Sequence, residues 1–266
     1  MLKEITLGRY YPGKSVLHRL DPRIKIVIAI FYMILVFIVQ AAVPMVVLCL
    51  LTLAMIILSR VPIRYVLNSI KPILFILVFA FAINLFTVKG DTWLELGPLT
   101  LTDQGVYTAL RMAARLILLI LSTTLFLTLT TTPILVADAM EKLLDPLRKI
   151  GFPAHEMAMM MSIALRFVPT LLEETDKIMK AQSSRGADYD TGGLIAKARG
   201  LVSVLIPLFV SAFKRAEDLA VAMEARCYRG GEGRTRLKIM KLQRLDLVFT
   251  LFMLVASVIV LFLQFR

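Results

Sequence analysis

The stretch IVIAIFYMILVFIVQAAVPMVVLCLLTLAMIILS, residues 26–59, runs for 34 residues between Lys25 and Arg60 without one charged side chain. As one helix at about 1.5 Å per residue it would be roughly 50 Å long. A hydrocarbon layer is about 30 Å thick and takes about 20 helical residues. The run is therefore much too long for one crossing and slightly short for two ideal ones. It reads as a tight helical hairpin turning between Gln40 and Pro44, because Gln40 is the strongly polar residue there and proline ends or kinks a helix.

Working outward, three more charge-free runs appear: 17 residues between Lys71 and Lys89, 22 between Arg115 and Asp138, and 19 between Asp246 and Arg266. Each fits one span. Composition agrees, since 58% of the 266 residues are hydrophobic and 19% charged, whereas a soluble domain averages roughly 45–50% apolar residues. The expected fold is an all-α membrane protein with about five transmembrane helices, near residues 24–40, 44–59, 71–88, 107–131 and 246–264. Residues 1–131 form an N-terminal membrane domain of four spans, 132–244 a cytoplasmic domain, and 245–266 a C-terminal transmembrane helix.

The formal charge of +12 would suggest nucleic acid in a soluble chain, but in a membrane protein it reads first as orientation. Lys3, Arg9, Lys14, Arg19, Arg23 and Lys25 precede the first run, and Arg60, Arg64 and Lys71 follow it. Both ends of the hairpin are thus expected inside, with the N-terminus cytoplasmic. The segment between Lys89 and Asp103 carries Asp91 and Glu95 and reads as an outside loop, with Trp93 suited to an interface. Residues 1–23 are too polar for a cleavable signal. Cys49 and Cys227 cannot build a disulfide framework or a metal site.

Residues 132–244 gather 18 Lys and Arg with 13 Asp and Glu. Charges are costly in lipid, so this segment belongs at the cytoplasmic face. Val168, Leu171, Leu172, Thr175, Ile178 and Met179 follow the i, i+3, i+4 rule, with Glu173, Glu174, Asp176, Lys177 and Lys180 on other faces. A second stripe runs through Phe209, Ala212, Phe213, Ala216, Leu219, Ala220 and Met223, opposed by Lys214, Arg215, Glu217, Asp218 and Glu224. These are two long amphipathic helices, interrupted by Pro169 and Pro207, which are candidate kinks. The uncharged run 200–213 is short for a span and suits an interfacial or buried helix.

Both helices end alike. Ser184, Arg185 and Gly186, with Tyr189 beyond, close the first; Ala225, Arg226 and Cys227 close the second. Arginine in a last helical turn suits the macrodipole, and Gly186 suits a left-handed C-terminal position. The pair also presents two guanidinium groups, planar donors for carboxylates on a partner.

Here the chain resembles a known family. Tyr11-Pro12-Gly13-Lys14-Ser15, Leu17-His18, Leu20-Asp21-Pro22-Arg23 and Lys25, together with the two arginine tripeptides, are similar to the transmembrane T component of energy-coupling factor (ECF) transporters, the EcfT/CbiQ family. The likeness covers almost the whole chain. It implies that the long amphipathic helices are coupling helices whose arginine ends dock into two ATP-binding cassette (ABC) ATPase subunits. It further implies that their apolar faces, with Met160, Met161, Leu171, Leu172, Phe209 and Phe213, cradle a membrane-embedded substrate-binding S component. Ser184 and Cys227 stand where the family typically has alanine and glycine.

The resemblance implies uptake of a micronutrient, a vitamin or else cobalt or nickel ions, across a prokaryotic plasma membrane. No Walker loop is present, so ATP with its Mg²⁺ is expected on the partner ATPases and no cofactor on this chain. No catalytic or metal-ligating constellation is evident: His18 and His155 lack partners at metal spacing, and H-E-x-x-H and G-x-S-x-G are absent. Arg111 and Arg115, four apart on one face, are expected to snorkel near the outer interface, and Asn84 to donate a hydrogen bond between helices. A connector from Gly230 to Arg236 is basic and Gly-rich, suited to anionic headgroups. A stand-alone secondary transporter or a membrane assembly factor is the alternative, although the charge-free runs supply no intramembrane acid for ion coupling.

Overall fold

In the computed structural model the described residues are 10–88, 92–96, 99–186, 193–230 and 242–266. Lys3, Arg9, Lys89, Asp91, Tyr189 and residues 231–236 lie outside them, as do the side chains of Trp93 and Glu95.

The hairpin forms as its composition requires. Helix α2 (Pro22–Ile38) turns through Val39, Gln40 and Ala41 into α3 (Ala42–Ser59), with Pro44 in the first turn, where a missing N–H costs little. Upstream lies a short α1 (Val16–Arg19). Downstream come α4 (Ile63–Asn68), a 3₁₀ turn and α5 (Leu74–Thr87), then a small antiparallel hairpin of β1 (Thr92–Leu96) and β2 (Leu99–Thr102), and α6 (Asp103–Thr123), which continues as a π-helix over Thr124–Leu129. Helices α7 (Pro133–Leu144), α8 (Ala154–Ser184), α9 (Leu194–Ala225) and α10 (Arg244–Phe265) complete the order.

Among the described residues, four stretches are long and apolar enough to cross a membrane: Ala42–Ser59, Ile63–Thr87, Asp103–Leu129 and Arg244–Phe265. Helix α2, with 17 residues, sits at the lower limit for a span. The third span therefore starts before Lys71, at Ile63, and the fourth begins at Asp103 rather than near 107. The loop expected after Lys89 contains the β-hairpin, the one strand pairing among the described residues.

The chain divides into two compact units, one of Gly8–Ala139 with Lys238–Arg266 and the other centred on Met140–Leu237. The last helix, set apart above as its own domain, packs against α2 and α3. The core of this first unit comes from Tyr32, Leu35 and Val36 of α2, Leu48 and Met55 of α3, Phe126 of the π-helix, and Phe249 and Met253 of α10. Outside it, large apolar side chains face away from the protein, among them Ile57, Phe75, Leu247 and Val258. Such a surface suits lipid and would be anomalous in water.

The segment from Tyr11 to Lys25 is a structural anchor, residue by residue. The Tyr11 N–H donates to the carbonyl of Leu129 at 3.0 Å. Gly13 lies under the His18 ring, where a Cβ would sit 2.8 Å from Cε1. Ser15 caps α1, its hydroxyl 2.6 Å from His18 Nδ1, while His18 Nε2 lies 2.8 Å from the Tyr11 carbonyl. Leu17 and Leu20 are buried. Asp21 caps α2 and pairs with Arg23 at 2.7 Å, and Pro22 takes the first helical position. Lys25, 1% exposed, donates to the Thr130 carbonyl at 2.8 Å and to Thr131 Oγ1 at 3.1 Å. Asp246 Oδ1 accepts the Asp21 N–H at 2.8 Å, which ties α10 to the same point.

The opposite end of α2 is satisfied in the same way. Arg115 donates to the Val39 carbonyl at 2.7 Å, Arg111 and Tyr107 each to the Gln40 carbonyl at 3.2 Å, and Gln264 accepts the Gln40 and Ala41 N–H groups. The two arginines thus close the hairpin turn instead of merely snorkelling. Asn84 is also corrected: its amide donates within its own helix, to the Ala80 carbonyl at 2.8 Å.

Replacing Lys25 by Met keeps the side-chain length but leaves a buried carbonyl unpaired, a cost of about 1–3 kcal/mol. Lys25→Met is expected to lower the thermal midpoint in detergent and Lys25→Arg to recover part of the loss; an unchanged midpoint for Lys25→Met would refute this role.

Candidate functional site

Within the second unit, α8 and α9 and the two residues just past each of them carry the candidate coupling and S-component residues read from the sequence. Residues near the start of α8 (Met159, Ser162, Ile163) share a cavity of about 610 Å³ with residues at the end of α9 (Leu219, Met223, Arg226). Midway, Glu174 of α8 meets Ser211 and Arg215 of α9. The two helices are therefore antiparallel, and Arg185 and Arg226 lie at opposite ends of the pair.

The two ends have the same backbone. Arg185 caps α8 just past Ser184, at φ −92°, ψ 8°, and Arg226 caps α9 just past Ala225, at φ −92°, ψ 14°. Each is followed by a left-handed residue, Gly186 at φ 86° and Cys227 at φ 55°. The Gly186 N–H donates to the Ser183 carbonyl at 2.9 Å, and the Cys227 N–H to the Glu224 carbonyl at 2.8 Å. At the second end the Tyr228 N–H also reaches the Met223 carbonyl at 3.1 Å, which completes a Schellman cap. Cys227 thus takes the conformation that glycine takes at the first end, despite the steric cost of a Cβ there. Both arginines are exposed, and neither has an ion pair among the described residues.

The apolar faces divide in a way that periodicity alone does not show. Leu219 and Met223 line the cavity with α8, but Phe209 and Phe213 point outward, 59% and 72% exposed. With Val202 and Ile206, 48% and 60% exposed, they form a stripe at i, i+4, i+7, i+11. Met160 and Met161 are also exposed, whereas Leu171 and Leu172 are half-buried.

Glu174 is the residue that sequence reasoning missed. Periodicity placed it and Arg215 on polar faces, yet Arg215 bonds it at 2.7 Å and the Ser211 hydroxyl donates to its other oxygen. The Ser211 hydrogen bond, opposed by desolvation and supported by the Arg215 charge, holds its carboxyl below the usual glutamate range. The contact sits a little beyond Pro169 on one helix and Pro207 on the other, both inside unbroken helices. Ser211 and Arg215 are four apart and so share a face, the one available signal, but it does not name a partner on α8. His155 finds a carboxylate too, with Nδ1 3.0 Å from Glu141. Among the described residues no three His, Cys, Asp or Glu converge as metal ligands.

Residues 13–237 match the family model described as cobalt transport protein, CbiQ. Among curated proteins, the chain is 53% identical over 250 residues to the energy-coupling factor transporter transmembrane protein EcfT of Ruminiclostridium cellulolyticum, covering 94% of this chain and 93% of that one. Proteins of the same name from Thermosediminibacter oceani and Bacillus subtilis are 51% and 47% identical over 92% and 90% of each chain. The helical membrane fold, the anchored N-terminal motif and these full-length similarities together establish that the chain belongs to the EcfT/CbiQ family, the transmembrane T components of ECF transporters.

Proposed function

We propose that the chain is the coupling subunit of an ECF-type ABC importer, which passes the motion of two ATPase subunits to a substrate-binding S component for micronutrient uptake. The observation that carries this reading is the matched pair of helix ends: one capped backbone, repeated at opposite ends of an antiparallel pair, each with a guanidinium free for a partner. Two similar ends imply two similar sockets, as a homo- or heterodimer of ATPases provides.

ATP and its Mg²⁺ are bound and hydrolysed on those ATPases, and this chain contributes no catalytic group. Ser184, Arg185 and Gly186 engage one ATPase; Ala225, Arg226 and Cys227 engage the other. Orientation follows the Lys/Arg bias, with the N-terminus and both coupling ends in the cytoplasm. Glu174, Ser211 and Arg215 pin the helices to each other between their ends, Glu174 and Arg215 each roughly 15–20 Å along its helix from a docked arginine. Closing of the ATPase dimer would then draw the two ends together and change the angle at the pin. The outward stripe of Phe209 and Phe213, with Met160 and Met161, offers the S component an apolar seat, and Leu171 and Leu172 support it from within. Methionine adapts to more than one partner surface. A vitamin is the expected cargo class, with cobalt or nickel ions second.

Arg185→Ala and Arg226→Ala are each expected to weaken retention of the ATPases during co-purification by about tenfold or more, the scale of a lost charge-assisted pair, with membrane insertion intact. Unchanged substrate uptake in the double variant would overturn the assignment.

The pin predicts a separate phenotype. Glu174→Gln should lower transport per ATP hydrolysed severalfold while the ATPases stay bound, and Arg215→Gln should do the same without adding to it. Because the folded chain favours ionised Glu174, the pin contributes at neutral pH and is lost as pH falls below the ordinary glutamate value of 4.5. A distance between spin labels on α8 and α9 should therefore broaden on acidification in the native chain and already be broad in Glu174→Gln; identical distributions at neutral pH would refute the pin.

A further inference from the structure

We propose that the first unit carries a binding site for one anionic phospholipid, between α1, the end of α3 and the start of α10. A cavity of about 460 Å³ opens there. Three cations line it, Lys14, Arg19 and Arg60, together with the apolar side chains of Ile57, Leu58 and Leu245.

Charge is the first observation. Lys14, Arg19 and Arg60 are exposed, and none has an ion pair or hydrogen-bonded acid among the described residues. The neighbouring carboxylates are engaged elsewhere: Asp21 holds Arg23, and Asp246 accepts the N–H groups of Asp21 and Gln243. In the anchoring segment from Tyr11 to Lys25, Arg23 and Lys25 are tied into the fold, whereas Lys14 and Arg19 are not. Three uncompensated cations on one cavity call for an anion, and the two guanidinium groups can each grip phosphate oxygens through paired N–H bonds.

The second observation is the backbone that holds them. Arg60 has φ 54°, left-handed and uncommon for a non-glycine residue. Its N–H donates to the Ile57 carbonyl at 3.2 Å, while Ser59 Oγ donates to the Ile56 carbonyl and accepts the Val61 N–H. On the other wall, the contacts of His18 with Ser15 and with the Tyr11 carbonyl fold the segment bearing Lys14 back onto α1. The cations are thus presented by fixed turns, and holding Arg60 left-handed costs conformational energy.

The third observation selects an amphiphile over a free anion. Ile57 and Leu58 are 68% and 46% exposed on the last turns of α3, so the cation cluster continues directly into the apolar flank of a membrane span. A headgroup phosphate among the cations would leave its acyl chains along that flank. Inorganic phosphate has no use for the apolar wall, and a zwitterionic lipid brings a cation of its own toward three others. Basic pockets at the membrane–water boundary of helical proteins bind anionic headgroups on this principle.

The test uses the full-length chain purified in mild detergent and offered phosphatidylglycerol or phosphatidylcholine with the same acyl chains, with bound lipid counted by native mass spectrometry. Phosphatidylglycerol should be retained with at least about tenfold preference, at about fivefold per cation, and excess inorganic phosphate should not displace it. The combined variant Lys14→Gln, Arg19→Gln, Arg60→Asn should lose that preference; asparagine tolerates the left-handed backbone. A variant of equal charge, Arg64→Gln, Lys71→Gln, Arg266→Gln, should keep it. Arg19→Gln alone, on an exposed position of α1, should lose about fivefold and guards against misfolding of the triple variant. No preference in the native chain, an undiminished preference in the cavity variants, or displacement by inorganic phosphate would each overturn the proposal.

Discussion

The ammonium of Lys25 resting on the carbonyl of Thr130 is the contact around which the first unit is organised. A helix that stops at the edge of a hydrocarbon layer leaves its last carbonyls without partners, and lipid supplies none. Where the π-helix closes the fourth span, the Leu129 carbonyl takes the Tyr11 N–H and the Thr130 carbonyl takes Lys25. Supplying those donors draws the N-terminal segment and the first turn of α2 onto the end of α6. Asp246, bonded to the Asp21 N–H, then fixes where α10 begins. At the far end of α2, Arg111, Arg115 and Tyr107 perform the same service for the Val39 and Gln40 carbonyls. Three cations that composition would place in water are instead backbone caps.

The second unit follows another logic. Helices α8 and α9 meet along their length, but much of the apolar area of α9 is left open. A polar contact at one level, Glu174 with Ser211 and Arg215, holds two long helices at a point while leaving their ends free. The same left-handed turn follows both ends, taken by glycine in one case and by cysteine in the other.

Much of the fold was legible because membrane spans are written as local composition. The uncharged run 26–59 announced a hairpin and its turn; Asp21-Pro22 announced the start of a helix; Gly186 announced the end of one. The two amphipathic helices were visible in their period, and α8 buries the stripe read from it, Val168 through Met179, to about half. For α9 the stripe divided, since Leu219 and Met223 turn to α8 while Phe209 and Phe213 turn away. A wide apolar stripe can serve two surfaces at once, and nothing in its spacing says how it is shared.

By itself, then, the sequence determined the class, the approximate places of the spans, the ends of the long amphipathic helices and the family, all of which depend on residues close together in the chain or on motifs matched in order. Tertiary structure alone decided which distant groups meet: Lys25 with Thr130, Arg115 with Val39, Glu174 with Arg215, and Lys14, Arg19 and Arg60 around one cavity. The physical reason is register. A helical period states which residues share a face, but the rotation and sliding of one helix against another are set by side-chain packing between them, and only that packing brings a charge to a backbone carbonyl, an acid or other cations.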